Sequence, residues 1–133
     1  MSEEQVDVVR GHIEAFRAQD APRTLSFLDP HVVVDVSRTG GLDSAFYGHE
    51  ALAEFVHRHA GTFEDYRYEV ERLTDLGSGA VLVVLTEAGR GKGSGVPVHR
   101  SLATLYTVID GKIARITHFR TEQDALEAAG LRE

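Results

Sequence analysis

Apolar and polar positions follow two rhythms along this chain, and the change from one to the other divides it. Over the first sixty residues the spacing is helical. Val6, Val9, Ile13 and Phe16 recur at intervals of 3, 4 and 3, which predicts one buried helical stripe. Ser2 with Gln5 three residues on is a capping-box pattern, and the helix should end near Gln19. Asp20 can cap a short second helix with Pro22 in its first turn, Leu25 and Leu28 facing inward and Asp29-Pro30 ending it. "HVVVDV" is β-branched and bounded by turn residues, so a strand is expected there. Residues 37–48 are small and polar, a loop. A third helix is expected over 49–60, with Leu52, Phe55, Val56 and His59 inward and Gly61 just past its end.

From residue 65 the period shortens to two. "DYRYEVERLTDL" puts Tyr66, Tyr68 and Val70 on one face, and "AVLVVLTEAGR" is apolar enough to be central. "VPVHRSLATLYTVI" follows a glycine-rich link. Asp110-Gly111 is a two-residue hairpin turn leading into "KIARITHF". "EQDALEAAGL" closes the chain as a helix with Leu126 inside and Gly130 at its end. Helices segregated from hairpin-joined strands indicate an α+β fold. The expected form is one domain over 1–133, a curved antiparallel sheet wrapped around the N-terminal helices, with a C-terminal helix. Such a sheet leaves a pocket between its layers. Its convex side also carries apolar residues (Val84, Leu105 or Ile113, depending on the face), and a second copy of the chain would cover them, giving a homodimer.

The charge balance narrows the partners. Lys and Arg number 14 against 21 Asp and Glu, a net charge of −7. An acidic chain with scattered arginines lacks the basic footprint that nucleic acid or an anionic membrane requires. No cysteine is present, so disulfides and thiolate chemistry are excluded. "MSEEQVDVVR" has no apolar segment like that of a secretory leader, and the cytoplasm is the expected location. "GRGKGSG" lacks the Gly-Lys-Ser/Thr and following helix of a phosphate loop. The histidines of "HRH" at 57–59 are two apart, not the four that a helical metal pair uses. No metal and no cofactor are expected.

Three polar residues stand out. Asp35 interrupts an apolar strand, and a buried carboxylate is costly unless paired. It is either a strand-end Asp bonded to amides of the Ser37–Gly41 segment or an acid/base group. His118 lies on the last strand. Arg100 lies on the strand before it, toward the same end of the hairpin. Symmetric pairing about Asp110-Gly111 puts His118 opposite about residue 103, within diagonal reach of Arg100 or Thr104.

The first helix pair, "FLDPHVVVDVS", "YGHEALAEFV" and above all "DGKIARITHFRTEQDALEAAGL" resemble SnoaL-like proteins of the nuclear transport factor 2-like, or cone-fold, superfamily. The resemblance covers nearly the whole chain. It implies a homodimeric fold with a pocket, shared by ketosteroid isomerases, limonene epoxide hydrolases and polyketide cyclases. By that resemblance Asp35 falls at the isomerases' general base and His118 where similar hydrolases and cyclases place a carboxylate. His12 and Thr104 fall near the isomerases' oxyanion-binding Tyr and protonated Asp. The His and Thr leave the isomerase set incomplete, and His118 breaks the hydrolases' Asp–Arg–Asp set. The expectation is a small-molecule enzyme of isomerase, cyclase or hydrolase type. Asp35 and His118 would exchange protons with a small hydrophobic substrate, and Arg100 and His12 would stabilise an oxyanion. Phe16, Phe55, Tyr66 and Thr104 would line the pocket. The alternatives are a non-catalytic binding module and a structural dimer in which Asp35, Arg100 and His118 form an internal network.

Overall fold

The computed structural model describes residues 2–39, 45–50, 53 and 63–130. Helix α1 (Ser2–Arg17) and α2 (Ala21–Ser26) precede strand β1 (Leu28–Asp35), a single 3-10 turn (Ser37–Thr39) and the short β2 (Ala45–Tyr47). Residues 48–50 begin a helical turn, and the rest of the expected third helix, with Phe55 and the 57–59 histidines, lies outside the described residues apart from residue 53. Strands β3 (Phe63–Gly77), β4 (Ala80–Gly91), β5 (Pro97–Ile109) and β6 (Lys112–Phe119) follow, then α3 (Glu122–Ala128).

The strands form one sheet in the order β2-β1-β6-β5-β4-β3. Every pairing is antiparallel except β1 with β6, which is parallel. Local chemistry explains the boundaries. Asp20 caps α2 by accepting from the Arg23 amide, and Pro22 sits in its first turn. That helix stops at Ser26, so Leu28 belongs to β1 instead. Asp29-Pro30 does not break the chain's course. It falls where the β1–β6 register shifts between Leu28 and Val33, a bulge that tolerates a proline without an N–H. Asp110 (φ 51°) and Gly111 (φ 78°) make the hairpin turn. At Gly11 of α1, a Cβ would lie 2.6 Å from the Phe27 ring, so any larger residue there would have to displace that ring.

The sheet curls around α1. Val9 and Ile13 of α1 pack on Leu28, Val32 and Val34 of β1, Val81, Val83 and Leu85 of β4, and Tyr106 and Ile116 of β5 and β6. These residues define the concave face. A second cluster sits on the convex face, where Leu82, Ala103 and Phe119 pack against Ala125 and Leu126 of α3. Part of the cover expected from a second copy therefore comes from the chain's own terminal helix. Ile113 is in the concave core, not on the convex side.

One bulge decides where the last strand aims its side chains. Next to the turn, Val108 pairs with Ile113. The register then slips, and Thr107 pairs with Arg115 and Thr104 with His118. An extra residue on β6 reverses the alternation beyond it. Ile113 and Ile116 consequently both face the concave core, and His118 follows Ile116 to that side. Without the bulge His118 would sit opposite Ala103 and leave through the convex face.

Candidate functional site on the concave face

Thr104 is fully buried, and its Oγ1 lies 2.9 Å from His118 Nδ1. The expected nearness of His118 to Arg100 or Thr104 is met by Thr104 directly, one residue from the symmetric register.

Arg100 and Thr104 share the concave face of β5 with Leu102 between them. Arg100 pairs across β4 with Glu87, and its Nε donates to Glu87 Oε1 at 2.7 Å. The Glu87 side chain is 10% exposed against 47% for Arg100. Tyr66 of β3 donates its hydroxyl to the other Glu87 oxygen in a short hydrogen bond. Burial, reinforced by the Glu87 carboxylate, holds the Tyr66 phenol well above its ordinary pKa, so it remains a proton-bearing donor. Sequence reasoning missed Glu87. The signal was present: counting outward from Gly93-Ser94 sets Glu87 opposite Arg100, with the period-two series Val81, Val83, Leu85 leading to it.

Phe16 of α1 closes one side. Its ring makes edge contacts with Tyr66 (6.3 Å between centroids) and Tyr68 (5.3 Å). Burial raises the Tyr68 phenol and that of Tyr106, the latter to about 12. Phe16 and Tyr66 thus both stand on the concave face. Phe55 lies outside the described residues.

His12 is also in this layer, but its chemistry differs from the expected oxyanion donor. Its Nδ1–H donates to the Thr24 carbonyl at 3.1 Å, and its ring sits edge-on to Tyr106 at 6.0 Å. Burial lowers its pKa to about 4. A neutral ring whose one N–H is committed to Thr24 has no proton left to offer an oxyanion.

Asp35 takes the first of its two expected forms, a strand-end carboxylate bonded to an amide of the Ser37–Gly41 segment. It pairs in register with Thr117, the residue whose side chain leaves the opposite face from His118. Its carboxylate accepts from the Ser37 amide (2.9 Å) and hydroxyl (2.6 Å) through Oδ1 and from Arg115 (3.0 Å) through Oδ2. The Ser37 hydroxyl first, then the Ser37 amide and Arg115, hold its pKa below the usual carboxylate value. The structure therefore does not bring Asp35 and His118 together across a pocket. Asp35 anchors the turn that carries Arg38 over the Phe119 ring, 5.9 Å from its centroid.

Among the described residues the concave layer thus carries, besides neutral His12, the polar groups Thr104–His118 and Tyr66–Glu87–Arg100, separated by Leu102 and flanked by aromatic rings. The first can move a proton at His118. The second holds a fixed cation beside a buried carboxylate.

Solved structures share this architecture. TerC co-crystallised with polyporic acid aligns with 93% of this chain and 96% of its own, at a TM-score of 0.77 and 19% identity. A protein described as a polyketide cyclase from Xanthomonas campestris pv. campestris aligns over 95% and 96%, at 0.73 and 20% identity. An LEH-like epoxide hydrolase from M. tuberculosis aligns over 95% and 89%, at 0.72 and 18% identity. At such identities the likeness is one of fold. A search of curated protein sequences gives no match. The family model for the SnoaL-like domain matches residues 9–116, and the chain belongs to that family.

Proposed function

We propose that this protein is a cofactor-independent enzyme of the isomerase, cyclase or hydrolase kind, acting on a small hydrophobic molecule held against the concave face. The observation that carries the reading is the Thr104–His118 pair. A buried hydroxyl at 2.9 Å from Nδ1 fixes the ring, and a fixed imidazole, a group that ordinarily titrates near neutrality, suits general acid/base work. The proton carrier is His118, with Arg100 as the stabilising cation. Asp35 takes no part, because it lies on the other face. Small molecules and chemistries named for proteins of the same fold, polyporic acid, polyketide cyclisation and epoxide hydrolysis, support the substrate class.

The test is a thermal-shift screen of steroid enones, terpene epoxides and aromatic polyketide esters, with hits assayed for turnover in wild type and His118→Gln. A ligand at 100 times its Kd raises stability by about 2.7 kcal/mol. Turnover should fall about a hundredfold or more in His118→Gln while binding persists. Binding without turnover in either protein would establish the second reading, a non-catalytic binding module. That reading is favoured by Glu87, whose carboxylate oxygens already accept from Tyr66 and Arg100. No ligand at all would remove both. The convex face remains the proposed dimer interface beyond the patch that α3 covers, and sedimentation would show a dimer mass.

A further inference from the structure

Arg100 stands out in the concave groups because its donors are only partly used. Its Nε is taken by Glu87, and both Nη nitrogens have no partner among the described residues. The side chain is 47% exposed, whereas the Glu87 side chain beside it is nearly covered. Glu87 is in turn tied to Tyr66, whose ring contacts Phe16. A guanidinium held at one nitrogen keeps its planar fork in a fixed plane, and two parallel N–H donors on such a fork match a carboxylate. The Tyr66 ring stands two hydrogen bonds from that fork, through Glu87.

We infer that Arg100 is an anion-binding subsite, taking the carboxylate or enolate oxygens of an aromatic substrate on its Nη nitrogens while the Phe16–Tyr66 wall packs the ring. This rests on the reading that the concave face holds a small molecule, and it names the substrate class: an aromatic acid or acidic enol, not a neutral terpene or steroid. The surroundings favour a selective anion site over a general one. The chain carries a net charge of −7, so stray anions are repelled at long range, and only a ligand that also packs its ring is held. Glu87 tempers the charge of Arg100, which favours a directed, two-donor contact over a diffuse one.

The experiment is a calorimetric titration of the wild-type chain with 2-naphthoate and with its methyl ester, repeated on Arg100→Gln and Arg100→Lys. The acid should bind at least about tenfold more tightly than the ester. Arg100→Gln should abolish that preference, weakening the acid far more than the ester. Arg100→Lys keeps the charge but not the fork and should retain only part of the preference, and it serves as the reporter if Arg100→Gln does not fold. Equal binding of acid and ester to wild type, or an acid preference that survives in both variants, overturns the subsite and leaves the pocket standing. Binding of neither probe overturns the subsite together with the pocket.

Discussion

The two faces of the sheet treat an acidic residue in opposite ways. On the concave face Glu87 is nearly covered and held between a phenol and a guanidinium. On the convex face Asp35 is 17% exposed at its side chain and caps its own loop, with a half-exposed Arg115 as partner. Both carboxylates are ion-paired at similar distances, 2.7 and 3.0 Å. They differ in what surrounds the pair. Glu87 and Arg100 sit beside aromatic rings and on the same face as the Thr104–His118 pair, which is where chemistry can be directed. Asp35 and Arg115 hold a turn shut. A carboxylate's partner tells little about function until the face it occupies is known.

That comparison is sharpened most by acid, because the concave layer also buries a neutral histidine. His12 has its pKa lowered from 6.5 to about 4 by burial. In the unfolded chain it takes up a proton as pH falls through the ordinary histidine value, whereas the folded protein resists until near 4. Stability should therefore fall as pH drops from 6.5 to 4, by about 3 kcal/mol in total from this residue, and no further below. Urea unfolding at several pH values would measure it. In His12→Gln, which keeps a donor for Thr24, that part of the slope should vanish. An unchanged slope would mean that His12 is not the concave layer's acid-sensitive point.

A smaller effect is expected at Glu87. Glu87→Ala leaves Tyr66 without its acceptor and Arg100 without its anchor. Arg100 is half exposed and regains water, so the loss should be about 2 kcal/mol and not the larger figure of a fully buried pair. The Tyr66 phenol should also titrate at lower pH, since the carboxylate that raises it is gone. Absorbance titration of the tyrosines reads this directly. By contrast, removing the exposed Arg90–Asp65 pair should cost less than about 0.5 kcal/mol. Equal losses at the two sites would erase the distinction between a covered pair and an exposed one.

How far the sequence shows this arrangement depends on counting. The α+β class, the α1 stripe, the Asp20 cap and the Asp110-Gly111 hairpin are local patterns, and each is visible in a few residues. The side of the sheet that a residue faces is not local. His118 reaches the concave face only because one extra residue on β6 slips the register, and nothing in "KIARITHF" announces it. Asp35 was legible as a strand-end residue bonded to its loop or as a catalytic base. Choosing required its register with Thr117 on a strand far along the chain. Glu87 lay in a run that looked uniformly buried, although its register with Arg100 followed from the Gly93-Ser94 turn. The resemblance to the family carried the fold well. It does not fix which face each site residue takes, since a one-residue offset moves a side chain to the other face.

The last prediction concerns Asp35, where the expected effect is a small one on stability alone. Asp35→Asn keeps the shape of the side chain and removes the charge that Arg115 and Ser37 hold. Because its folded pKa lies below the ordinary value of 3.8, its contribution is present above that pH and lost as pH falls through the folded value. The variant should be less stable than wild type by about 1 kcal/mol or less at neutral pH, and the gap should close in acid. The binding of any concave-face ligand should not change, because Asp35 is separated from that face by the sheet itself. If Asp35→Asn weakened a ligand, or cut turnover as strongly as His118→Gln, the convex carboxylate would be coupled to the site through Thr117 and its neighbour His118. The two faces would then have to be treated as one unit.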